Sequence, residues 1–195
     1  YDSRIMKHLA PFVREKHLIR VYHTVDSKIV PEYRYKERRD CLLSGAMSGA
    51  YPLRQRLLRD FKILNRTTRV DYAPHPGYHR NGCHTPKYLE LLSGFKVAIC
   101  TASRYGYALR RLVEAVACGC SVITDLPVDE VLPEIDENLI RIHPDTTTKQ
   151  IAEVLGEVVH NYDPQLQQHY AEKAKGYYDW RAAGLRLATD IEAMR

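Results

Sequence analysis

The sequence predicts an α/β fold in which a parallel sheet carries helices on both faces. Three observations point there. Apolar runs such as "KVAICTAS" (96–103) and "SVITD" (121–125) lack polar alternation, as strands covered on both faces require. Between such runs the apolar residues recur at helical spacing. The joints that follow the strands are short and rich in Gly, Ser or Pro. Strands that alternate with helices pair in parallel through crossovers, and ligands then sit at the carboxyl ends of the strands.

The elements follow in order. Residues 1–20 mix basic and apolar residues without a clean period, and "HTVDSKIVPEYRYKERRD" (23–40) is polar, holds Pro31 and reads as a linker. "CLLSGA" (41–46) is a short apolar strand. Pro52 suits a first helical turn, and Leu53, Leu57, Leu58 and Phe61 sit at helical spacing through residue 64. A strand at about 69–73 leads into the loop "APHPGYHRNGCH" (73–84), then a helix at 86–93 and a strand at 97–101. A helix from residue 107 carries the stripe Leu109, Leu112, Val113 and Val116 and ends before the strand 121–125. "NLIRIH" (138–143) alternates like a strand nearer an edge. Ile151, Val154, Leu155, Val158 and Val159 mark the clearest helix, with Thr147 and Gln150 as its capping box. Beyond Pro164 two helices are expected, anchored by Tyr170, Tyr177, Trp180, Leu187 and Ile191.

Composition bounds the function. The chain has 195 residues, 45% of them hydrophobic and 27% charged, which excludes disorder and supports one well-buried domain. Its net charge of +5 favours phosphorylated ligands or an anionic membrane surface, but the Lys and Arg are spread and do not form a nucleic-acid surface. The cysteines at 41, 83, 100, 118 and 120 form no C-x-x-C pair, so reduced thiols and a cytoplasmic location are expected. No run of 18 apolar residues is present, so no integral membrane segment is expected.

Three loops collect at the predicted carboxyl ends. In "SGAMSGAYPLR" (44–54), Ser44, Gly45, Ser48 and Gly49 either cradle a diphosphate, with Arg54 as counter-charge, or make a tight strand-to-helix turn. In the second loop, His75, Gly77 and Tyr78 either contact a base or sugar or lie on the surface. His75, His79, Cys83 and His84 fit no ordinary zinc spacing, so no metal is expected. In the third, Ser103 and Gly106 are expected to leave N–H groups free at a helix start. Tyr107, Arg110 and Glu114 share an arc away from the apolar stripe, with Ala108 and Arg111 beside them. That arc is either a site for phosphate and sugar hydroxyls or a solvated face holding an i,i+4 Arg110–Glu114 pair.

"TASRYGYALRRLVEAVACGCSVITD" (101–125) resembles the donor-binding signature of GT-B glycosyltransferases, in which a strand ends in Ser and a helix carries "EA-x-A-x-G" before an apolar strand. "HTVDSKIVPEYRYKERRDCLLSGA" resembles the interdomain linker and first strand of their C-terminal domain, and "YPLRQRLL" the first helix in the spore-maturation-like branch of this group 1 superfamily. The resemblance covers roughly residues 20–195. It implies a Rossmann-like half of a GT-B fold: 1–35 as a domain tail and linker, 36–162 as the donor-binding domain, and 163–195 as helices that cross back to the other domain. It implies a nucleotide-sugar as co-substrate without a metal cofactor, an unknown acceptor, and an N-terminal acceptor domain missing from this chain. Glu114 would bond the donor ribose, with Gly106 and Tyr107 beside the diphosphate. Many retaining members carry a further glutamate where this chain has Gly106, and the Gly-Gly pair often found after the next strand is missing from "DLPVDE". No catalytic base is assigned. A sugar-nucleotide epimerase of the same fold and a non-catalytic nucleotide-sugar-binding module are the other readings.

Overall fold

The computed structural model describes residue 11 and residues 19–35, 37–74 and 84–194. Within them, β1 (Arg39–Gly45), β2 (Val70–Pro74), β3 (Phe95–Ile99), β4 (Ser121–Thr124) and β5 (Leu139–Arg141) form one sheet. All neighbours pair in parallel, in the order β2-β1-β3-β4-β5. In register, Cys41 stands beside Val70 on one side and Val97 on the other. The sheet is the Rossmann-like α/β architecture that the apolar runs predict, with every expected strand within two residues of its place.

Successive strand residues face opposite sides of the sheet, and each side builds its own core. Leu42, Ala98 and Val122 pack beneath α3 (His84–Ser93), α4 (Arg110–Ala117) and α6 (Pro164–Tyr177). Leu43, Val97, Ile99 and Ile123 pack beneath α1 (Pro52–Arg59), α2 (Phe61–Leu64) and α5 (Thr148–His160). Cys41, Cys100, Cys118 and Cys120 are free, buried thiols within these layers. The capping box of α5 forms as expected, Thr147 accepting from the Gln150 N–H.

Two helices differ from expectation. The run 52–64 is not one helix. Asp60 ends α1 and starts α2, and its carboxylate accepts a hydrogen bond from Thr148 of α5 at 3.0 Å. The helix expected from residue 107 starts at Arg110, because Gly106 takes a left-handed φ of 66° and Leu109 is the extended N-cap. Helical spacing alone ran the stripe back through Leu109, which lies outside the helix.

The polar stretch 23–40 docks on the domain. Val25 is buried and bridges in parallel to Asp179, its N–H reaching the Tyr178 carbonyl at 2.9 Å. The last helix, α7 (Trp180–Ala193), buries no residue. Whether it meets residues 1–18 lies outside the described residues.

Asp179 fastens this corner. Its carboxylate caps α7 through the Arg181 N–H at 2.9 Å and accepts from the Ser27 hydroxyl at 2.7 Å. These bonds, Ser27 first, hold its pKa well below the usual carboxylate range. Asp179→Ala is expected to cost about 0.5–2 kcal/mol at neutral pH, the range for a lost N-cap. A depressed folded pKa means stability present above the unfolded pKa and lost as the carboxyl protonates. Urea denaturation should therefore show the gap between parent and variant closing as pH falls below about 4.

Candidate functional site

In this strand order the chain reverses direction across the sheet between β1 and β3, and their carboxyl ends open the crevice where such sheets bind ligands. The loops after β1 and β3 are joined into one platform. The Arg104 N–H donates to the Ala50 carbonyl at 2.7 Å. Arg54, from α1, donates through Nη1 to the Ala46 carbonyl and through Nη2 to the Thr101 hydroxyl, both at 2.8 Å. Arg111, from α4, donates to the Ser44 carbonyl, at the end of β1. Its guanidinium lies where a Cβ on Gly45 would be, and Gly45 itself has φ 120°. That φ favours glycine, and any side chain there would push the guanidinium aside.

The helix ends at this crevice are open. Helices α5, α6 and α7 are capped by the side chains of Thr147, Asp163 and Asp179. By contrast α1 and α4 begin at Tyr51 and Leu109, and neither supplies a side-chain cap. No side chain of the N-cap residues bonds their first turns, although Pro52 has no N–H to offer and the Leu112 N–H reaches the Leu109 carbonyl at 3.0 Å. Arg111 and two helix starts without side-chain caps lie around this crevice, while Arg54 ties its two loops together from beneath.

The expected site residues divide. Ser44, Gly45, Arg54 and Arg111 come together, joined by Tyr88, whose hydroxyl is 2.8 Å from that of Ser44. Ser48 and Gly49 lie on the exposed outer turn, where Ser48 accepts from the Tyr51 N–H. His75, Gly77 and Tyr78 lie outside the described residues. Tyr107 and Ala108 precede α4 and line a cavity on its other side.

Three expectations are corrected. Arg54 is not an open counter-charge: it is fully buried, stacked on Tyr51, and spent on loop contacts. Burial, with the charge of Arg111 second, lowers its pKa to about 10. The Gly106 N–H is not free, because it closes a turn on the Ser103 carbonyl at 2.7 Å, while the Ser103 hydroxyl accepts from the Tyr105 N–H. Glu114 does not lie off the buried face. It is only 6% exposed, and its Oε1 accepts from Arg110 Nε at 2.8 Å. Burial raises its pKa, while Arg110 and Arg111 oppose the rise. The i,i+4 pair is present, yet its carboxylate sits in the wall of the platform rather than on a solvated face.

Asp125, missed in the sequence, holds the loop after β3. Its Oδ1 accepts the Ala102 N–H at 2.6 Å, and burial raises its pKa. Its place at the end of "SVITD", beside the crevice, was the available signal. Tyr88 gave none, being a lone tyrosine in a helical stretch with no motif around it.

No family model matches the sequence, and no curated protein matches it. Among the described residues, no helix is long and apolar enough to cross a membrane. One similar solved structure is the C-terminal domain of a group 1 family glycosyl transferase (LpcC) from Francisella tularensis, at 12% identity and a TM-score of 0.45, over 77% of this chain and 94% of that one. Another is the glycotransferase of kitacinnamycin, at 14% identity and a TM-score of 0.47. That likeness covers 91% of this chain and 47% of that one, so this chain spans about half its length.

Proposed function

We propose that this chain is the donor-binding half of a glycosyltransferase and takes a nucleoside diphosphate sugar between β1 and β3. One observation carries the reading: the uncapped starts of α1 and α4 flank the Arg111 guanidinium over Gly45, with the Glu114 carboxylate set behind. The diphosphate would take the N–H groups and Arg111, and Glu114 would accept from the ribose hydroxyls. Fixed dipoles and guanidinium groups of this kind stabilise a departing diphosphate as the glycosidic bond breaks. The acceptor-binding half would be supplied by a preceding domain, with residues 163–195 crossing back to it.

Calorimetric titration of the chain with UDP-, GDP-, ADP- and TDP-sugars tests the reading, and one of them is expected to bind. Glu114→Gln is expected to weaken that binding by about 1–3 kcal/mol, the range for a hydrogen bond to a charged group. Its effect on stability should stay small, since the lost pair has a half-exposed arginine and the buried charge goes with it. Unchanged affinity in Glu114→Gln, or no binding of any donor, would sink the proposal.

A non-catalytic binding module is favoured by one feature. Gly106, at the position where many retaining members carry glutamate, has a left-handed backbone that a glutamate would adopt only with strain. If donor binds but is never hydrolysed or transferred, this second reading takes over.

A further inference from the structure

A cavity of about 430 Å³ lies on the far side of the α4 start from the crevice, closed by the docked segment at 20–23 and the turn at 130–132. That volume falls within the range of small-molecule pockets, about 300–1,000 Å³. Its walls are mostly apolar, with Val21, Leu109, Val113 and Leu132 among them. The two charged groups on the wall, Arg20 and Glu130, are paired with each other, and Arg20 also lies over the Tyr22 ring at 4.4 Å. Among the described lining residues, these two charges are of opposite sign and balance. Tyr22 and Tyr107 add aromatic surface. His23 adds a polar ring, and partial burial, followed by the charge of Arg110, lowers its pKa. A neutral imidazole has one nitrogen that accepts a hydrogen bond from a hydroxyl.

The geometry points to a second small-molecule site here, for an uncharged aromatic compound that bears a hydroxyl. The apolar and tyrosine walls take the ring, and His23 accepts from the hydroxyl. None of Ser44, Gly45, Arg54 or Arg111 lines the cavity, so its occupancy does not rest on the donor reading above.

The test is a fluorescence titration of the full chain with 1-naphthol. Saturable binding is expected, with naphthalene-1-sulfonate at least tenfold weaker because the cavity offers a sulfonate no counter-charge. Val21→Trp fills the cavity from a position that is 51% exposed, so its melting temperature should hold while naphthol affinity falls at least tenfold. His23→Ala should weaken naphthol severalfold and leave naphthalene unchanged. Absence of saturable binding, equal binding of the sulfonate, or parental affinity in a folded Val21→Trp would each overturn the site. Nucleotide-sugar titrations of the same samples separate the two readings. Naphthol binding without any donor binding overturns the donor reading alone, and donor binding without naphthol overturns the cavity alone.

Discussion

Arg54→Ala is expected to destabilise the protein by about 2–5 kcal/mol, the range for emptying a fully buried side-chain site. Arg54 has no exposed surface and fills the joint between α1 and the two loops of the crevice. The alanine would leave a void and strip the Ala46 carbonyl and Thr101 hydroxyl of their donor. Arg54→Met separates packing from tying. It restores most of the volume and removes a charge whose burial is costly, so its stability loss should stay below about 1.5 kcal/mol. Both variants nevertheless free the loop after β1 from the loop after β3. Donor affinity should fall about tenfold or more in each, a change of about 1.4 kcal/mol. Urea denaturation with calorimetric titration decides it. An Arg54→Met protein that binds donor like the parent would reduce Arg54 to a core filler.

Arg38→Ala is expected to cost about 3 kcal/mol or more, and to leave the affinity of the folded protein untouched. Arg38 lies just before β1, so Gly45 is seven residues further along the strand, a span of about 23 Å. Its guanidinium donates to the carbonyls of Arg34, Phe95, Cys118 and Gly119 at 2.8–3.0 Å and lies over the Tyr33 ring. Two of those carbonyls close the carboxyl end of α4, where the helix dipole favours a cation. Orphaning several buried acceptors, at about 1–3 kcal/mol each, sets the size of the loss. Arg38→Lys should recover little of it, because an ammonium cannot span the same fork of acceptors. A melting curve and a donor titration on each variant check this, and a changed affinity at parental stability would contradict it.

These two arginines show where sequence reading stops. "RRDCLLSGAMSGAYPLRQR" holds both Arg38 and Arg54 among three other arginine or aspartate positions, with nothing in the spacing to separate them. Arg39, two residues from Cys41, points instead to a half-exposed ion pair with Asp71. Burial of a guanidinium depends on which carbonyls the tertiary fold brings within reach, and those of Arg38 lie 57, 80 and 81 residues away for Phe95, Cys118 and Gly119. The same holds for Glu114. Its distance from the apolar stripe was legible, but its burial follows from Arg110 folding over it and from α3 and β1 closing the side that the stripe leaves open.

The sequence by itself determined the sheet, the order of its strands along the chain, both faces of its core and the loops that follow the strands. Each of these rests on a local period or a local backbone preference: unbroken apolar runs for strands, helical spacing between them, and Gly, Ser and Pro at the joints. Only the structure showed the start of α4, the closed turn at Gly106, the burial of Arg54 and Glu114, and the Asp125 anchor. The turn at Gly106 and the α4 start are local, but helical periodicity does not register a left-handed glycine. The burial of Arg54 and the Asp125 anchor, by contrast, depend on segments that meet only after the chain has crossed the sheet.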